Sequence, residues 1–352
     1  MSKSTAVILI NLGTPQSVEL KDVRRFLGEF LMDRYVIQIP WLFRFLLVYG
    51  LILPTRSTKT QEAYQTIWDT QNGSPLLYNS KKLLAKLSEY FEKIYPEQYV
   101  VQLAMRYAGG DLSLKTILNN LQNKNIEKLI VLPLYPQYAV STTLSSIEAI
   151  EKEASKKGFK NIEIIKDFYE HPGFIEAQAA IISKVLNSKK IDYLLFSFHG
   201  LPQQHVKDTG CQNCTHDTIC SSITERNRWC YRAQCFATTR ALVKILGLDA
   251  KQYGVSFQSR LGRLPWIGPY TEEKIKALAQ QGVKHLAVVC PAFVADCLET
   301  QEEIKIRLKT SWFTLVNKKE QANTSFSFIP CVNDHSQWVA GIGQIIHNQS
   351  NQ

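Results

Sequence analysis

The sequence predicts an α/β protein built from two similar halves, each carrying a parallel sheet, and three observations predict it. First, apolar runs of strand length recur at residues 6–12, 100–105, 129–134, 162–165, 194–198, 254–257 and 286–290, each followed by a longer stretch of helical periodicity. Runs that are apolar throughout, rather than alternating, belong to strands covered on both faces, as parallel sheets are. Second, KLIVLPLYPQYAVSTTLSSIEAI, starting at Lys128, resembles KHLAVVCPAFVADCLETQEEI, starting at Lys284. Each reads as strand, proline, aromatic residue and then a helix rich in hydroxyl or carboxyl groups. Third, 352 residues make about two domains at roughly 150 residues each. The halves are expected to meet near residues 160–190, with a ligand in the cleft between them, because α/β sheets receive ligands at the carboxyl ends of their strands.

Composition narrows the function. With 45% apolar and 20% charged residues, a disordered tail, a collagen-like fibre and a coiled-coil rod are excluded. Lysine and arginine exceed aspartate and glutamate by 41 to 31, a formal charge of +10. A partner of opposite sign follows: anionic lipid, nucleic acid or an acidic small molecule. No GxGxxG follows a strand and no GxxxxGK[ST] occurs, so the usual dinucleotide and triphosphate fingerprints are absent. The N-terminal apolar run, residues 6–10, is too short for the core of a signal peptide, so a cytoplasmic protein beginning here is expected. Residues 41–53 form the longest greasy run, but Arg44 interrupts it, Pro54 closes it, and it falls short of the roughly 20 residues that span a bilayer. In a reducing compartment the eight cysteines point to metal binding, catalysis or burial before disulfides.

Four groups of residues can carry chemistry. His199 closes the apolar run of LLFSFHGLP, which places an imidazole suited to proton transfer at a strand's carboxyl end. In VADCLETQEEI, Asp296, Glu299 and Glu303 stand at helical offsets 0, 3 and 7. That spacing stacks three carboxylates on one α-helical stripe and predicts a path for cations or protons, against the plainer reading of a solvated face. A third group, Arg56, Arg106, Tyr107, Tyr135, Tyr138 and Trp266, offers flat walls and guanidinium forks for a planar apolar ligand bearing carboxylates. The alternative is that these rings fill the core. Finally, Cys211, Cys214, Cys220, Cys230 and Cys235 crowd a polar segment, a density that points to metal–thiolate ligation by an iron–sulfur cluster or by zinc.

Together these residues make the sequence similar to the ferrochelatases, nearly end to end. INLGTP, TRSTKTQEAY, GSP, MRY, YPQYAVSTT, SFHGLP, FQSRLGRLPWIGPYT and PAFVADCLETQEEI match family motifs in order. The resemblance implies two Rossmann-like halves: residues 1–165 with an apolar lip, joined by a returning C-terminal helix at 334–352, and residues 166–333 with a Cys-rich insertion at 210–235. It implies insertion of ferrous iron into a porphyrin, with protoporphyrin IX the expected ring, to form haem and release two protons. Porphyrin propionates would meet Arg56, Arg106 and Ser74 with Tyr64 nearby. The macrocycle would lie against Leu12, Tyr107, Tyr135 and Trp266. His199 would take pyrrole protons, Fe(2+) would enter at His199 and Glu299, and Asp296 and Glu303 would move protons or metal. The lip at 41–53 would rest on the inner face of a membrane, a buried core helix being the alternative.

The resemblance also implies a [2Fe-2S] cluster on Cys211, Cys214, Cys220 and Cys230, with Cys235 the rival fourth ligand and structural zinc the alternative. The tail beyond Asn333 has no cysteine, and Val140 stands where animal relatives have a further ligand. Cys297 replaces a histidine of those relatives, which argues against an essential proton relay there. A porphyrin carrier is the rival function. Nucleic-acid binding is not expected, because no clustered basic helix occurs, and a monomer or homodimer is expected.

Overall fold

The computed structural model describes residues 4–107, 110–122, 124–209, 220, 222–260, 264–316 and 323–350. The chain divides into two compact units, one of residues 1–135, 140–167 and 339–352, the other of residues 136–139 and 168–338.

The first unit holds β1 (Ser4–Asn11), β2 (Tyr99–Met105), β3 (Ile126–Pro133) and β4 (Ile162–Ile164) in one parallel sheet of order β2-β1-β3-β4. β1 lies at its centre, and Ala6 to Ile10 are wholly buried. Ala6, Ile8 and Ile10 pack with Leu118 of helix Leu114–Gln122 and Ile150 of helix Ser145–Lys156. Val7 and Leu9, pointing the other way, are equally buried. Both faces of the strand are therefore covered, as its unbroken apolar run requires. The C-terminal helix Ser336–Ser350 is fastened to this unit near its end. His347 stacks on Tyr95 with ring centroids 4.2 Å apart and lies 3.1 Å from the Tyr99 hydroxyl. Lys128 pairs with Glu163 at 2.6 Å, and Gln349 donates to the same carboxylate.

The second unit repeats the plan with β5 (Tyr193–His199), β6 (Tyr253–Gln258), β7 (His285–Val289) and β8 (Ser325–Ile329), all parallel in the order β6-β5-β7-β8. Leu195, Leu286 and Val288 pack against Ile275, Ile304 and Trp312. The seven strands read from the apolar runs are present, and the shared strand order fits the internal repeat. β8 is the addition: SFSFI alternates small polar and aromatic residues at the sheet edge, so it lacks the continuous apolar run of the others.

The helices that follow β3 and β7 differ from expectation. Val140–Leu144 and Glu299–Leu308 are π-helical, with the wider turn of i→i+5 bonding. Asp296 precedes the helix, so Asp296, Glu299 and Glu303 do not form one α-helical stripe. Their spacing is set instead by a loop and a π-turn.

Residues 41–53 form helix Trp41–Leu47 and the π-turn Val48–Ile52, continued by helix Leu53–Ile67. Val48 and Leu53 are buried with Leu31, while Trp41, Leu42, Phe43, Leu46 and Leu51 are exposed by more than half. Arg44, the single charge in the run, folds back and donates to the Ile37 carbonyl at 2.9 Å. The segment is thus not a buried core helix. No helix among the described residues is long and apolar enough to cross a membrane.

Candidate active site

In the second unit the site is built at the carboxyl edge of the sheet. His199 ends β5 and pairs in register with Gln258, which ends β6. Gly200 then passes close to the β6 backbone: its N–H donates to the Gln258 carbonyl at 2.8 Å, and a Cβ there would sit 2.7 Å from that oxygen. A side chain at this position would push the strand ends apart, which explains why glycine follows the histidine. The half-buried His199 has Nδ1 2.6 Å from the Gly200 carbonyl. A carbonyl only accepts, so Nδ1 carries the proton and Nε2 presents its lone pair. Trp266 and Phe293 flank the ring, with centroids 6.5 and 6.2 Å away.

Glu299 and Glu303 reach the same region from the π-helix. Gln258 Nε2 donates to the Glu299 carbonyl at 3.2 Å, tying the helix to the end of β6. The Glu303 carboxylate accepts from the Ser259 N–H at 2.8 Å and from the Ser259 hydroxyl at 2.6 Å. Burial raises the Glu303 pKa above the usual carboxylate range; Ser259, Arg307 and His199 oppose the shift, and Glu299 adds to it. These mutual effects place His199, Glu299 and Glu303 in one electrostatic neighbourhood. Such a group suits the exchange of protons or a hard cation.

Asp296 sits differently. Its carboxylate accepts from the Thr300 hydroxyl at 3.1 Å, the Cys331 N–H at 3.3 Å and the Asn333 amide at 2.9 Å. Asn333 holds the left-handed φ of 44° and returns a carbonyl to the Asp296 N–H. Asp296 thus fastens the segment after β8 to the start of the π-helix. Cys297 is buried, and its thiol is pushed well above its ordinary pKa by burial, then by Glu299. It stays a neutral thiol.

The first unit assembles a second set at its own sheet edge. The Arg106 and Tyr107 N–H groups donate to the Asn11 and Leu12 carbonyls, and Tyr135 follows β3. Gly13, at φ 110°, approaches so closely that a Cβ would lie 2.3 Å from the Tyr107 carbonyl oxygen. Ser74, the residue before helix Pro75–Ile94, accepts from the Thr14 hydroxyl at 2.9 Å. Tyr64 is buried and Arg56 is exposed.

Sequence reading missed the residue that organises this edge. Asp33 Oδ2 accepts from Arg106 Nη2 at 2.7 Å, the Tyr107 hydroxyl at 2.7 Å and the Ser145 hydroxyl at 2.6 Å, while Oδ1 accepts from the Tyr35 N–H. Arg106, expected as a free fork, thus spends Nη2 on Asp33 and Nε on Ser145. Burial raises the Tyr107 pKa far above its ordinary value, so its hydroxyl stays a donor. No sequence spacing links Asp33 to Arg106, 73 residues away.

Of the cysteines, Cys211 and Cys214 lie outside the described residues. Cys230 is buried at the start of helix Tyr231–Leu246 and Cys235 is buried one turn in, its thiol raised well above the ordinary value by burial. The half-buried Cys220 has Sγ 4.0 Å from Nη1 of the buried Arg232. Among the described residues no group of three or more His, Cys, Asp or Glu is arranged to hold a metal.

Each unit is thus a parallel four-stranded sheet, and the second carries an imidazole and carboxylates at its carboxyl edge. The sirohydrochlorin chelatase of Bacillus subtilis subspecies spizizenii, solved in complex with cobalt, shares the fold: TM-score 0.51 at 9% identity, covering 99% of this chain and 96% of that one. The chain belongs to the ferrochelatase family, whose sequence profile matches residues 4–350. It is 44% identical over 344 residues to the ferrochelatase of Legionella pneumophila strain Philadelphia 1, covering 97% of this chain and 98% of that protein. To the ferrochelatase of Coxiella burnetii strain Dugway 5J108-111 it is 43% identical over 341 residues, covering 96% and 92%.

Proposed function

We propose that this protein inserts ferrous iron into a porphyrin, protoporphyrin IX, forming haem with release of two protons. The observation that carries the reading, in a chain of this family, is His199 with Nδ1 engaged by a carbonyl and Nε2 left basic, beside Glu299 and Glu303. Metal can enter the ring only as the two pyrrole protons leave, so the site must accept protons next to a cation. His199 Nε2 is the general base, Fe(2+) is the substrate met by His199 and Glu299, and Glu303 passes protons or metal onward. Asp296, through its three hydrogen bonds, supports that path by fixing where the π-helix starts. Arg56, Ser74, Arg106 and Tyr64 anchor the propionates, with Arg106 offering the guanidinium edge that Asp33 and Ser145 do not use. Leu12, Tyr107, Tyr135 and Trp266 supply apolar contact to the ring. Binding energy from these contacts offsets part of the cost of bending the macrocycle toward the geometry that accepts metal. Anaerobic mixing with protoporphyrin IX and ferrous iron should collapse the free-base absorption bands. Unchanged bands would mark a carrier, and faster turnover of coproporphyrin would reassign the ring.

The exposed residues of the 41–53 segment support contact with a membrane surface, to which the net positive charge adds attraction for anionic lipid. Phe43, 63% exposed, is the sharpest test. Phe43→Asp should change unfolding free energy by less than about 0.5 kcal/mol yet weaken sedimentation with anionic vesicles several-fold. Equal sedimentation of both proteins would remove the lip from membrane contact.

We further propose a [2Fe-2S] cluster on Cys211, Cys214, Cys220 and Cys230, a reading supported by the density of cysteines in this segment of the sequence. The buried Arg232 guanidinium beside the Cys220 sulfur would complement the negative charge of a cluster held there. When bound, such a cluster would supply electron-accepting iron held by thiolates. Cys235, buried one turn into helix Tyr231–Leu246, is the rival fourth ligand. Cys230→Ser should bleach the visible absorption of anaerobically purified protein. A colourless wild type carrying stoichiometric zinc would assign the site to zinc.

A further inference from the structure

Ser259 follows β6 at φ 66°, a left-handed conformation in which a side chain is costly and glycine is the cheaper residue. What glycine lacks is the hydroxyl, and that hydroxyl is in use. The Ser259 N–H meets Glu303 Oε1 at 2.8 Å while its Oγ–H meets Oε2 at 2.6 Å. Two donors from one residue thus grip both oxygens of one carboxylate, fixing its plane as well as its position. The left-handed turn is what aims the N–H and the hydroxyl the same way. Other charged groups around this carboxylate are His199 from β5 and, from its own helix, Glu299 and Arg307, whose Nη2 is 3.9 Å from Oε2 and also pairs with Glu302.

We propose that Ser259 is a positioning residue for metal insertion, a two-point clamp that holds the Glu303 carboxylate toward His199 and stops it turning to solvent or to Arg307. The inference rests on the reading that Glu303 lies on the proton or metal path, and it adds the residue that keeps Glu303 there. Ser259 touches neither ring nor metal in this scheme; it acts through Glu303 alone.

The test is a double-mutant cycle read by anaerobic zinc insertion, with protoporphyrin affinity followed by fluorescence quenching and folding by thermal melting. Ser259→Ala should lower kcat about tenfold with KM for porphyrin and porphyrin affinity unchanged. Ser259→Gly relaxes the backbone and removes the hydroxyl, so it should slow insertion as much as alanine does while melting no lower than wild type. In a Glu303→Ala background, Ser259→Ala should cause no further slowing, because the clamp has nothing left to hold. Wild-type rates in Ser259→Gly, or equal slowing by Ser259→Ala with and without Glu303, would overturn the clamp. A wild-type rate in Glu303→Ala alone would instead overturn the underlying path reading, and the clamp's function with it.

Discussion

His199→Ala is expected to lower the metal-insertion rate by at least about a hundredfold while leaving porphyrin affinity within a few-fold of wild type. Gly200 turns its carbonyl onto Nδ1 at 2.6 Å, which leaves Nε2 as the ring's only acceptor. Glu303, raised by burial and gripped by Ser259, and Glu299 are the carboxylates within electrostatic reach. Neither offers a neutral ring nitrogen that can take a proton beside a cation without itself being an anion. Alanine removes the acceptor but spares the Trp266 and Phe293 surfaces, so the loss should appear in kcat rather than in porphyrin binding. Fluorescence quenching and steady-state insertion, measured on the same preparation, separate the two. Equal loss of binding would make His199 a packing residue.

The largest effect on stability is expected at Asp33, through a residue that makes no contact with substrate in this account. Its side chain is 4% exposed and takes four donors, from Arg106, Tyr107, Ser145 and the Tyr35 backbone. Asp33→Leu removes the charge and takes one acceptor from all four at once, with only the Tyr107 and Ser145 hydroxyls left in reach of each other. Breaking a buried pair by removing one partner costs about 3–5 kcal/mol. The Arg106 side chain keeps 23% exposure, so water softens the penalty and the expected loss is about 3 kcal/mol. Urea unfolding monitored by circular dichroism reads it as a fall in midpoint at constant slope. Adding Arg106→Met to Asp33→Leu should recover part of the loss, since the stranded guanidinium goes with its partner. A double variant less stable than Asp33→Leu would show that Arg106 packs well without its counter-ion.

The sheets were legible because parallel strands buried on both faces must be apolar at every position. That pattern stands out in β1, β3 and β5, and it fails for the edge strand β8, where Ser325 and Ser327 alternate with phenylalanine. The π-helices were not legible: Glu299–Leu308 carries side chains compatible with an α-helix, and only the i→i+5 bonding separates the two. The α-helical stripe expected of Asp296, Glu299 and Glu303 therefore differs from the loop and π-turn that space them. Asp296 turned out to be tied by Thr300, Cys331 and Asn333, partners that no local spacing announces. His199 was legible because strand, histidine and glycine follow one another and each has a physical reason. Asp33 and Ser259 were not, since one is a lone acid whose partners lie far along the chain and the other is an ordinary serine in a rare backbone conformation. For the 41–53 run composition announced greasiness, but exposure is a tertiary fact that only the packing of Val48 and Leu53 decides.

In the proposed function proton removal by His199 limits metal entry, and a single-turnover rescue with imidazole reads that step alone. Wild type and His199→Ala, each preloaded with protoporphyrin, are mixed anaerobically with zinc, with and without added imidazole, and the free-base bands are followed. The variant is expected to be slow, with a rate that rises with imidazole concentration, while the wild type does not respond. A variant that inserts metal as fast as wild type without imidazole would contradict the proposed role of His199.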